Sequence, residues 1–410
     1  MSPVEPRVRP RLAVVSPFLD KRHGTELCVA EQIERLAETY EIHLYSARVE
    51  DVDLTRVVWH RMFLPFGPHL LRYVWWFIAN QVRRWWDSRV RGLTPEIVYS
   101  PGINCLDADV ISVHIVFAEF RRQVKEELRL RSNPLGAWPR LIHRLLYYRA
   151  VEALERRVYG RSHVPLAVVS EKVAADLVRS YGRKQNLHLI YHGCDAKRFQ
   201  PKRRCELRVQ ARSELGLHED NFAVLLVGND WKKKGLRCLL EAVALLGSPD
   251  IRVLVVGKDD KTPYRGILEQ NRLTEYVRFL APRRDVEFYY SAADLYVGPS
   301  LEDAFALPPI EAMACGVPVI VSRQAGVSEV IHHGEDGLIL EGPTDAQKLS
   351  EWISSLLRSP EWRQQLGDAA ARTAAQYTWD RNAQQLHNLL EMARLARTKR
   401  RLEPEHAAQS

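Results

Sequence analysis

Short runs of β-branched residues alternate with longer helical stretches along the chain, and this alternation restricts the fold more than any other feature of the sequence. The runs predicted to be strands are 11–16, 41–46, 96–100, 109–114, 165–170 and 187–193 in the first half, and 222–228, 251–257, 276–281, 294–300 and 317–322 in the second. Segments such as 25–39 and 137–160 between them have helical periodicity. Strands that alternate with helices build parallel sheets covered on both faces, so the predicted class is α/β.

The length of the chain indicates more than one domain, because 410 residues exceed what one hydrophobic core usually organises. Periodicity is weakest at 192–208, where glycine, proline and a basic cluster are typical of a linker. We therefore predict two doubly wound α/β domains that face each other across a cleft. Ligands of such sheets bind beyond the carboxyl ends of the strands.

Composition excludes a membrane-spanning chain. Hydrophobic residues make up 46% and charged residues 27% of the sequence, and no run approaches the roughly 20 apolar residues that span a bilayer. The stretch MSPVEPRVRPRLAVVS at the start has no long apolar segment of the kind found in signal peptides. The six cysteines are far apart and form no CxxC pair, so we expect reduced thiols in a cytoplasmic protein.

The chain is basic, with a formal net charge of +8. Such a charge suits a nucleic-acid partner, an anionic membrane surface or a phosphorylated substrate, and it also suits an ordinary solvated surface with an excess of arginine. Net charge alone does not choose among these partners.

Three lysines follow the strand predicted at 222–228, in the stretch GNDWKKKGLRCLLEAV, which enters a helix near Gly235. The free N–H groups and the dipole of a helix N-terminus favour anions, and ammonium groups neutralise the remaining charge. The loop therefore suits a diphosphate, with a solvated basic loop as the alternative.

A second segment, PSLEDAFALPPIEAMACGVPVIVS, spans residues 299–322 and carries acids on both sides of Pro308 and Pro309. Ala306 to Pro309 lead into a helical stretch, so the N–H groups of Ala306 and Leu307 are expected to point at another face of the same anion. Glu311, one turn into that helix, is predicted to accept hydrogen bonds from a ribose diol. The alternative is an acid that only complements the helix dipole.

These motifs carry a resemblance to a known family. The stretches VGNDWKKKGL, VVGKDD and 299–322, in this order, resemble the C-terminal half of the family 4 retaining glycosyltransferases of the GT-B fold, and within that family the lipopolysaccharide core glucosyltransferases. Residues 15–46 and 147–160 resemble the family's first half more loosely, and 377–392 resembles its closing helix. The resemblance implies an acceptor-side domain at 1–195, a donor-binding domain at 206–378 and a closing helix at 379–398 that returns to the first domain. The polar tail, 399–410, is expected to be disordered.

The resemblance assigns functional residues by position. The family's paired acids, which have seven residues between them, fall on Asp303 and Glu311, while Glu302 is one residue out of register. The family's Arg and Lys after the first strand of the second domain fall on Asn229 and Lys234, so the Arg is absent here. Lys233 matches a basic residue of the core glucosyltransferases, and the two lysines are expected to neutralise the diphosphate.

Three further assignments rest on the resemblance. Ala306 stands where the family usually has a glycine, Gly24 matches the glycine of a loop that approaches the donor, and His114 falls where the family often places a His near the reacting sugar. A structural histidine at a strand end is the alternative for His114. The expected catalytic residues are Asp303, His114 and Lys234, and the expected donor-binding residues are Gly24, Asn229, Lys233, Lys234, Ala306, Leu307 and Glu311.

The implied reaction moves a hexose from a nucleotide diphosphate sugar, with UDP as the expected nucleotide, to a hydroxyl of a glycan or lipid-linked acceptor, with retention of configuration. No metal and no cofactor are expected, because lysines and helix N-termini stabilise the leaving diphosphate. No nucleic-acid partner is expected. The alternatives are a degenerate sugar-nucleotide-binding protein with a basic membrane- or nucleic-acid-binding face, and a GT-B sugar-nucleotide epimerase.

The segment 69–92 holds four of the ten tryptophans and five arginines. A helical stripe of apolar residues indicates a core-facing helix; it comprises Leu71, Trp75, Ile78, Val82 and Trp86. Aromatic residues flanked by arginines also suit a helix in a membrane interface, and the basic tract 120–133 would add attraction to anionic lipid. The enzyme is therefore expected in the cytoplasm, with peripheral attachment to the inner face of the membrane as an open alternative.

Overall fold

The protein divides into two compact units, seen in a computed structural model that describes residues 9–22, 24–124, 136 and 138–407. Unit 1 comprises Met1–Tyr191 together with Asp380–Ser410, and unit 2 comprises His192–Trp379. The chain therefore passes from unit 1 to unit 2 and returns through its last helix.

Each run that was predicted to be a strand overlaps one, although some strands of the structure were not predicted. In unit 1 the strands are β1 (Arg11–Val15), β2 (Phe18–Leu19), β3 (Glu41–Ser46), β4 (Arg48–Val49), β5 (Val57–Arg61), β6 (Ile97–Pro101), β7 (Val110–Val113), β8 (Leu166–Val168) and β9 (Leu187–Leu189). In unit 2 they are β10 (Phe222–Val227), β11 (Ile251–Val256), β12 (Val277–Leu280), β13 (Leu295–Gly298), β14 (Val319–Ser322) and β15 (Leu338–Leu340).

Helices fill most of the intervals between strands. Before the crossing into unit 2 they are α1 (Gly24–Leu36), α2 (His69–Val90), α3 (Phe117–Gln123), α4 (Trp138–Tyr159) and α5 (Glu171–Tyr181). The others are α6 (Pro201–Glu214), α7 (Leu236–Leu246), α8 (Arg265–Gln270), α9 (Glu287–Ala292), α10 (Leu307–Ala314), α11 (Ala346–Arg358), α12 (Pro360–Ala374) and α13 (Trp379–Ala407).

Unit 1 is built on a seven-stranded parallel sheet of order β5-β3-β1-β6-β7-β8-β9, with β2 and β4 paired beside it. The strand order reverses between β1 and β6, which are hydrogen-bonded neighbours. Leu386, Leu389 and Leu390 of α13 belong to the buried core of this unit. A ligand crevice is expected at the carboxyl ends of β1 and β6, where the order reverses.

Unit 2 has a six-stranded parallel sheet of order β12-β11-β10-β13-β14-β15. Here the reversal lies between β10 and β13. Side chains on both faces of the sheet are buried, Leu226 and Val255 on one face and Leu225 and Leu254 on the other, as expected for strands covered by helices on both sides. The loops that follow β10 and β13 therefore meet at the point where doubly wound sheets bind ligands.

Two sequence interpretations were wrong, one at the start of unit 2 and one in the last helix of unit 1. Residues 201–208, predicted as part of a linker, lie in α6, whose Arg208 and Arg212 bond the carboxylate of Asp294 at 2.6 and 3.1 Å. The basic cluster is therefore part of a helix, and its Arg208 binds a buried acid. The backbone of α13 is helical to Ala407, although a disordered tail was predicted from residue 399.

Helix α2 packs its polar side against unit 1, whereas an amphipathic helix usually buries its apolar side. The prediction that its apolar stripe faces the core was therefore wrong. Leu71, Trp75, Ile78, Val82 and Trp86 are all exposed, whereas Trp76 and Phe77, which lie off the stripe, are buried. Buried polar side chains occupy the inward face instead. Most of the basic tract 120–133 lies outside the described residues.

Candidate functional site

Two loops of unit 2 emerge side by side at the reversal point of its sheet. One runs from the end of β10 through residues 228–235 to the start of α7, and the other runs from the end of β13 through residues 299–306 to α10. Because β10 and β13 are paired in parallel, both loops leave the same edge of the sheet. The lysine loop and the segment with the paired acids are thus brought together by topology.

Gly235 allows the two loops to touch. It has φ +77°, and a Cβ at this position would clash with the carbonyl oxygen of Pro299. The N–H of Leu301 donates to the carbonyl oxygen of Lys233 at 2.7 Å. Only glycine accepts both the left-handed backbone and this close approach, so the lysine loop is held against the loop that carries the acids.

Lys234 and Asp303 form an ion pair through Nζ and Oδ2, and both side chains are mostly shielded from water. The backbone of Asp303 is held on both sides, since its N–H donates to Gln324 O at 3.2 Å and its carbonyl oxygen accepts from Gly326 N at 3.1 Å. Lys233 pairs with Asp230 at 3.1 Å. A partly desolvated ammonium group thus lies beside a positioned carboxylate, which suits binding of an anion next to a polyol.

Ala306 precedes α10 with φ +73° and ψ 104°. This is a strained conformation for a residue with a side chain, and such strain is found at ligand sites. Pro308 and Pro309 have no N–H, so the N–H groups at the start of α10 belong to Ala306 and Leu307. Phe305, almost fully buried, anchors this turn by accepting from Val327 N at 2.7 Å.

Glu311 lies one turn into α10 and accepts a hydrogen bond from the hydroxyl of Tyr290 at 2.7 Å. Burial raises the pKa of the Glu311 carboxyl, and the Tyr290 bond opposes that rise. Tyr290 was not identified from the sequence, where its position in the aromatic stretch FYY of α9 indicates only core packing. Asn229 uses its Oδ1 to accept from Lys258 N at 3.0 Å, so it holds the next loop of the sheet.

Unit 1 contains a cavity of about 400 Å³ at the carboxyl ends of β1 and β6. Its lining comprises Pro17, Phe18, Thr25, Glu26, Leu64, His69, Arg72, Tyr73, Trp76, Pro101, Gly102, Ile103, Asn104, His114, Ile115, Phe117, Tyr147, Val151 and Tyr159. Most of these side chains are apolar or aromatic. Gly24 begins α1, whose next two residues line the cavity. The cavity therefore suits a ligand with large apolar faces and a few polar groups.

His114 follows β7 and lies in the wall of the cavity. Burial lowers its pKa to about 4, so the imidazole is neutral at pH 7. Glu155 of α4 accepts from the N–H groups of Phe117 and Ala118 at 2.9 and 3.1 Å. This carboxylate, which sequence reasoning missed, holds the start of α3 beside His114.

Acidification is expected to destabilise unit 1 through His114. Between pH 6.5 and about 4 the unfolded chain binds a proton that the folded chain does not, so the free energy of unfolding should fall as the pH falls, by up to about 3 kcal/mol for this group. Thermal unfolding across this pH range measures the effect, and His114→Gln should flatten the dependence.

His332→Gln is the matched control for this prediction. Asp336 raises the pKa of the exposed His332, so the stability that it adds is present below pH 6.5 and is lost as the pH rises through its folded pKa. The two variants should therefore change the pH profile in opposite directions. An unchanged slope in His114→Gln would contradict the assignment.

The predicted site residues fall into two groups. Lys233, Lys234, Asp303, Ala306, Leu307 and Glu311 cluster at the reversal point of unit 2, together with Asn229. Gly24 and His114 belong to unit 1 and lie at its cavity. No group of three or more His, Cys, Asp or Glu residues that could hold a metal occurs in the described part of the chain. Asp259 and Asp260, the adjacent acids after β11, accept loop hydrogen bonds from the N–H groups of Trp231 and Thr262.

Residues 208–373 match the family model described as "Glycosyl transferases group 1". A D-inositol 3-phosphate glycosyltransferase of Corynebacterium jeikeium (strain K411) is 30% identical over 241 residues, which cover 55% of this chain and 57% of the relative. The chain spans about half the length of the curated relatives it matches.

Two solved structures share the fold of the chain. WaaG, described as a glycosyltransferase involved in lipopolysaccharide biosynthesis, matches with a TM-score of 0.76 and 18% identity over 92% of this chain and 99% of that one. Alr3699/HepE of Anabaena in complex with UDP-glucose matches with a TM-score of 0.71 and 18% identity over 93% and 99%. The predicted α/β class with the GT-B fold is thereby confirmed. The resemblance to glycosyltransferases is confirmed for residues 208–373, which match the group 1 model, and assignment to family 4 stays a prediction.

Proposed function

We propose that this chain, which carries a group 1 glycosyltransferase domain at residues 208–373 in a GT-B fold, transfers a sugar from a nucleotide diphosphate sugar to an acceptor hydroxyl. The observation that carries the proposal is the Lys234–Asp303 ion pair at the reversal point of unit 2. It lies inside the matched segment and follows the strands after which doubly wound sheets bind nucleotides.

The donor is proposed to be a UDP-hexose, since a solved neighbour binds UDP-glucose. Lys233, Lys234 and the N–H groups of Ala306 and Leu307 would stabilise the charge that grows on the leaving diphosphate. Asp303 would hold hydroxyls of the sugar, and Glu311 the ribose diol. Both lysines are already paired with carboxylates, so binding of the donor would exchange those partners for phosphate oxygens.

The chemical course is proposed to be retention. Breaking the bond between the anomeric carbon and the diphosphate creates an oxocarbenium-like centre, and the acceptor oxygen would attack on the departing face. A leaving phosphate oxygen would take the acceptor proton. The positive groups around the diphosphate would stabilise its charge, as a divalent metal does in other glycosyltransferases. Metal independence stays a prediction.

The cavity of unit 1 is proposed to bind the acceptor, a glycan or a lipid-linked molecule. Its aromatic walls suit the apolar faces of sugar rings, and its polar groups are few. The neutral His114 would contact the reacting sugar. A site on the inner face of the cell membrane is the proposed place of action, and none of the described helices is long and apolar enough to cross a membrane.

Transfer should proceed without added divalent metal. The purified protein is incubated with a panel of nucleotide sugars and candidate acceptors, with and without EDTA, and glycosylated product and released nucleotide are measured. We expect nucleotide release at equal rates with and without EDTA. Activity abolished by EDTA and restored by magnesium or manganese would overturn the metal-free mechanism.

The same assay separates the alternative functions. A degenerate binding protein would be stabilised against thermal unfolding by a nucleotide sugar but would release no nucleotide. An epimerase would convert the donor without any acceptor. Only the transferase hypothesis predicts a glycosylated product that forms when both donor and acceptor are present.

A further inference from the structure

Helix α2 carries its polar residues inward. Asn80 donates to Asn104 O at 3.0 Å, and Arg84 binds both oxygens of Asp107 at 2.5 and 2.7 Å. Asp87 is fully buried and accepts from Arg83 at 2.9 Å. These three polar residues are hydrogen-bonded inside unit 1, which holds the helix with its opposite face towards solvent.

That opposite face is apolar over most of its length. With 3.6 residues per turn, the exposed side chains fall on one side of the helix; they are Leu71, Val74, Trp75, Ile78, Val82, Trp85 and Trp86. The stretch from Leu71 to Trp86 is about 22 Å long. Trp75 and Trp85 are 49% and 60% exposed, and an exposed apolar surface of this extent marks an interaction site.

Aromatic residues extend this surface before α2 begins. Phe63 and Phe66 lie in the loop after β5, and the side chain of Phe66 is fully exposed. The indole N–H of Trp75 donates to the carbonyl oxygen of Phe63 at 3.1 Å, which holds the loop against the helix. We call the exposed side chains of residues 63–86 the α2 face.

Basic residues border the α2 face. Arg89 is exposed at the end of α2 and has no ion-pair partner among the described residues. Helix α4 packs beside the first turns of α2 through the rings of Tyr147 and His69, 4.7 Å apart. It exposes Ile142 and Leu146 together with Arg140 and Arg149. The acid of α2, Asp87, is buried, so the α2 face has no acidic residue.

We propose that the α2 face docks the protein on an anionic membrane surface, with the tryptophans and aliphatic side chains in the interface and the arginines on lipid phosphates. Tryptophan and arginine at the edge of an apolar helix face suit the interface between hydrocarbon and headgroups. A second copy of the chain is a poorer occupant, because a two-fold contact through this face would bring like-charged arginines together. The helix lies on the surface and does not span it.

Vesicle sedimentation tests the proposal without donor or acceptor, so its result does not depend on the transferase activity. Binding is compared between vesicles of phosphatidylcholine alone and vesicles that also contain phosphatidylglycerol, at several salt concentrations. We expect binding to the anionic vesicles that weakens as ionic strength rises from about 0.01 M to about 0.15 M, where the Debye length falls from about 30 Å to about 8 Å.

Variants assign the binding to the α2 face. Ile78→Ser with Trp85→Ser should reduce the partition coefficient about tenfold or more, because two exposed apolar side chains no longer enter the interface. Arg89→Gln should reduce binding to anionic vesicles about fivefold and leave phosphatidylcholine binding unchanged. Val209→Ser, an exposed apolar position on α6 of unit 2, is the matched control and should bind like the parent chain.

Two further measurements keep the proposal testable if the double variant is poorly folded. Brominated acyl chains should quench tryptophan fluorescence of the unmodified protein, and Trp85→Phe should quench less while binding equally well. Absence of binding to anionic vesicles at low salt would overturn the proposal. A different result would assign the α2 face to contact with a second copy of the chain. In that case the parent chain would not bind vesicles, and sedimentation velocity would show a dimer that the double variant no longer forms.

Discussion

Lys234→Met is expected to lower kcat/KM about a hundredfold to a thousandfold, the size of effect seen when one positioned electrostatic group is removed from a transition state. In the structure the Lys234 ammonium group is mostly shielded from water and pairs with Asp303. In the proposed reaction its removal would deprive the leaving diphosphate of a counter-charge, and it would leave the Asp303 carboxylate without this partner. Both losses oppose charge separation in the reaction.

Lys232→Met is the matched control, since it removes the same charge from an exposed position in the same loop. It should retain most of the activity of the parent chain. Steady-state kinetics with the active donor compares the two, and thermal unfolding checks that both variants are folded. Equal losses in Lys232→Met and Lys234→Met would show that only the overall charge of the loop matters.

Asp303→Asn is expected to lower turnover by roughly thirty- to two-hundredfold, which corresponds to the loss of one charge-assisted contact of about 2 to 3 kcal/mol. The amide keeps the shape of the side chain but removes the charge that faces Lys234. Contacts that position the sugar matter most in the transition state, so the effect should fall on kcat more than on the KM of the donor.

Two neighbouring acids serve as comparisons for Asp303. Glu302→Gln tests the register, because Glu302 is the adjacent acid of the same loop, and it should have little effect. Glu311→Gln should also raise the KM of the donor, since the proposed ribose contact would contribute to binding before the reaction. Tyr290 can still donate to the amide oxygen. If Glu302→Gln strongly lowers kcat while Asp303→Asn leaves it nearly unchanged, Glu302 is the first of the paired acids and the assignment to Asp303 is wrong.

Much of the fold could be predicted because parallel strands that are buried on both faces consist of continuous runs of apolar residues. The run 41–46 coincides with β3, and 222–228 exceeds β10 by one residue. Strand β5 was missed because His60 and Arg61 interrupt its pattern, and β15 because the apolar run that contains it is only three residues long. Local sequence is uninformative where a strand is short or mixed in character.

The candidate site could be predicted in its residue types but not in its contacts. The lysine loop and the acid segment were identified from their positions after strands, whereas their contact depends on the order β10-β13 and on the Gly235 approach to Pro299. Tyr290 and Glu155 were missed for the same reason. Each acts through a partner more than 20 residues away, so neither has a local signal.

The sequence by itself determined the α/β class, the helix starts near Gly235 and Ala306, and the residues available for an anion site, because these depend on apolar periodicity and backbone chemistry over a few residues. The tertiary structure alone decided which carboxylate meets Lys234 and which face of α2 points outward. Periodicity gives a helix an apolar side, but the side that is buried depends on the partners that satisfy its polar residues. Here Asn104 and Asp107 bind Asn80 and Arg84, so the polar face is the one that packs inward.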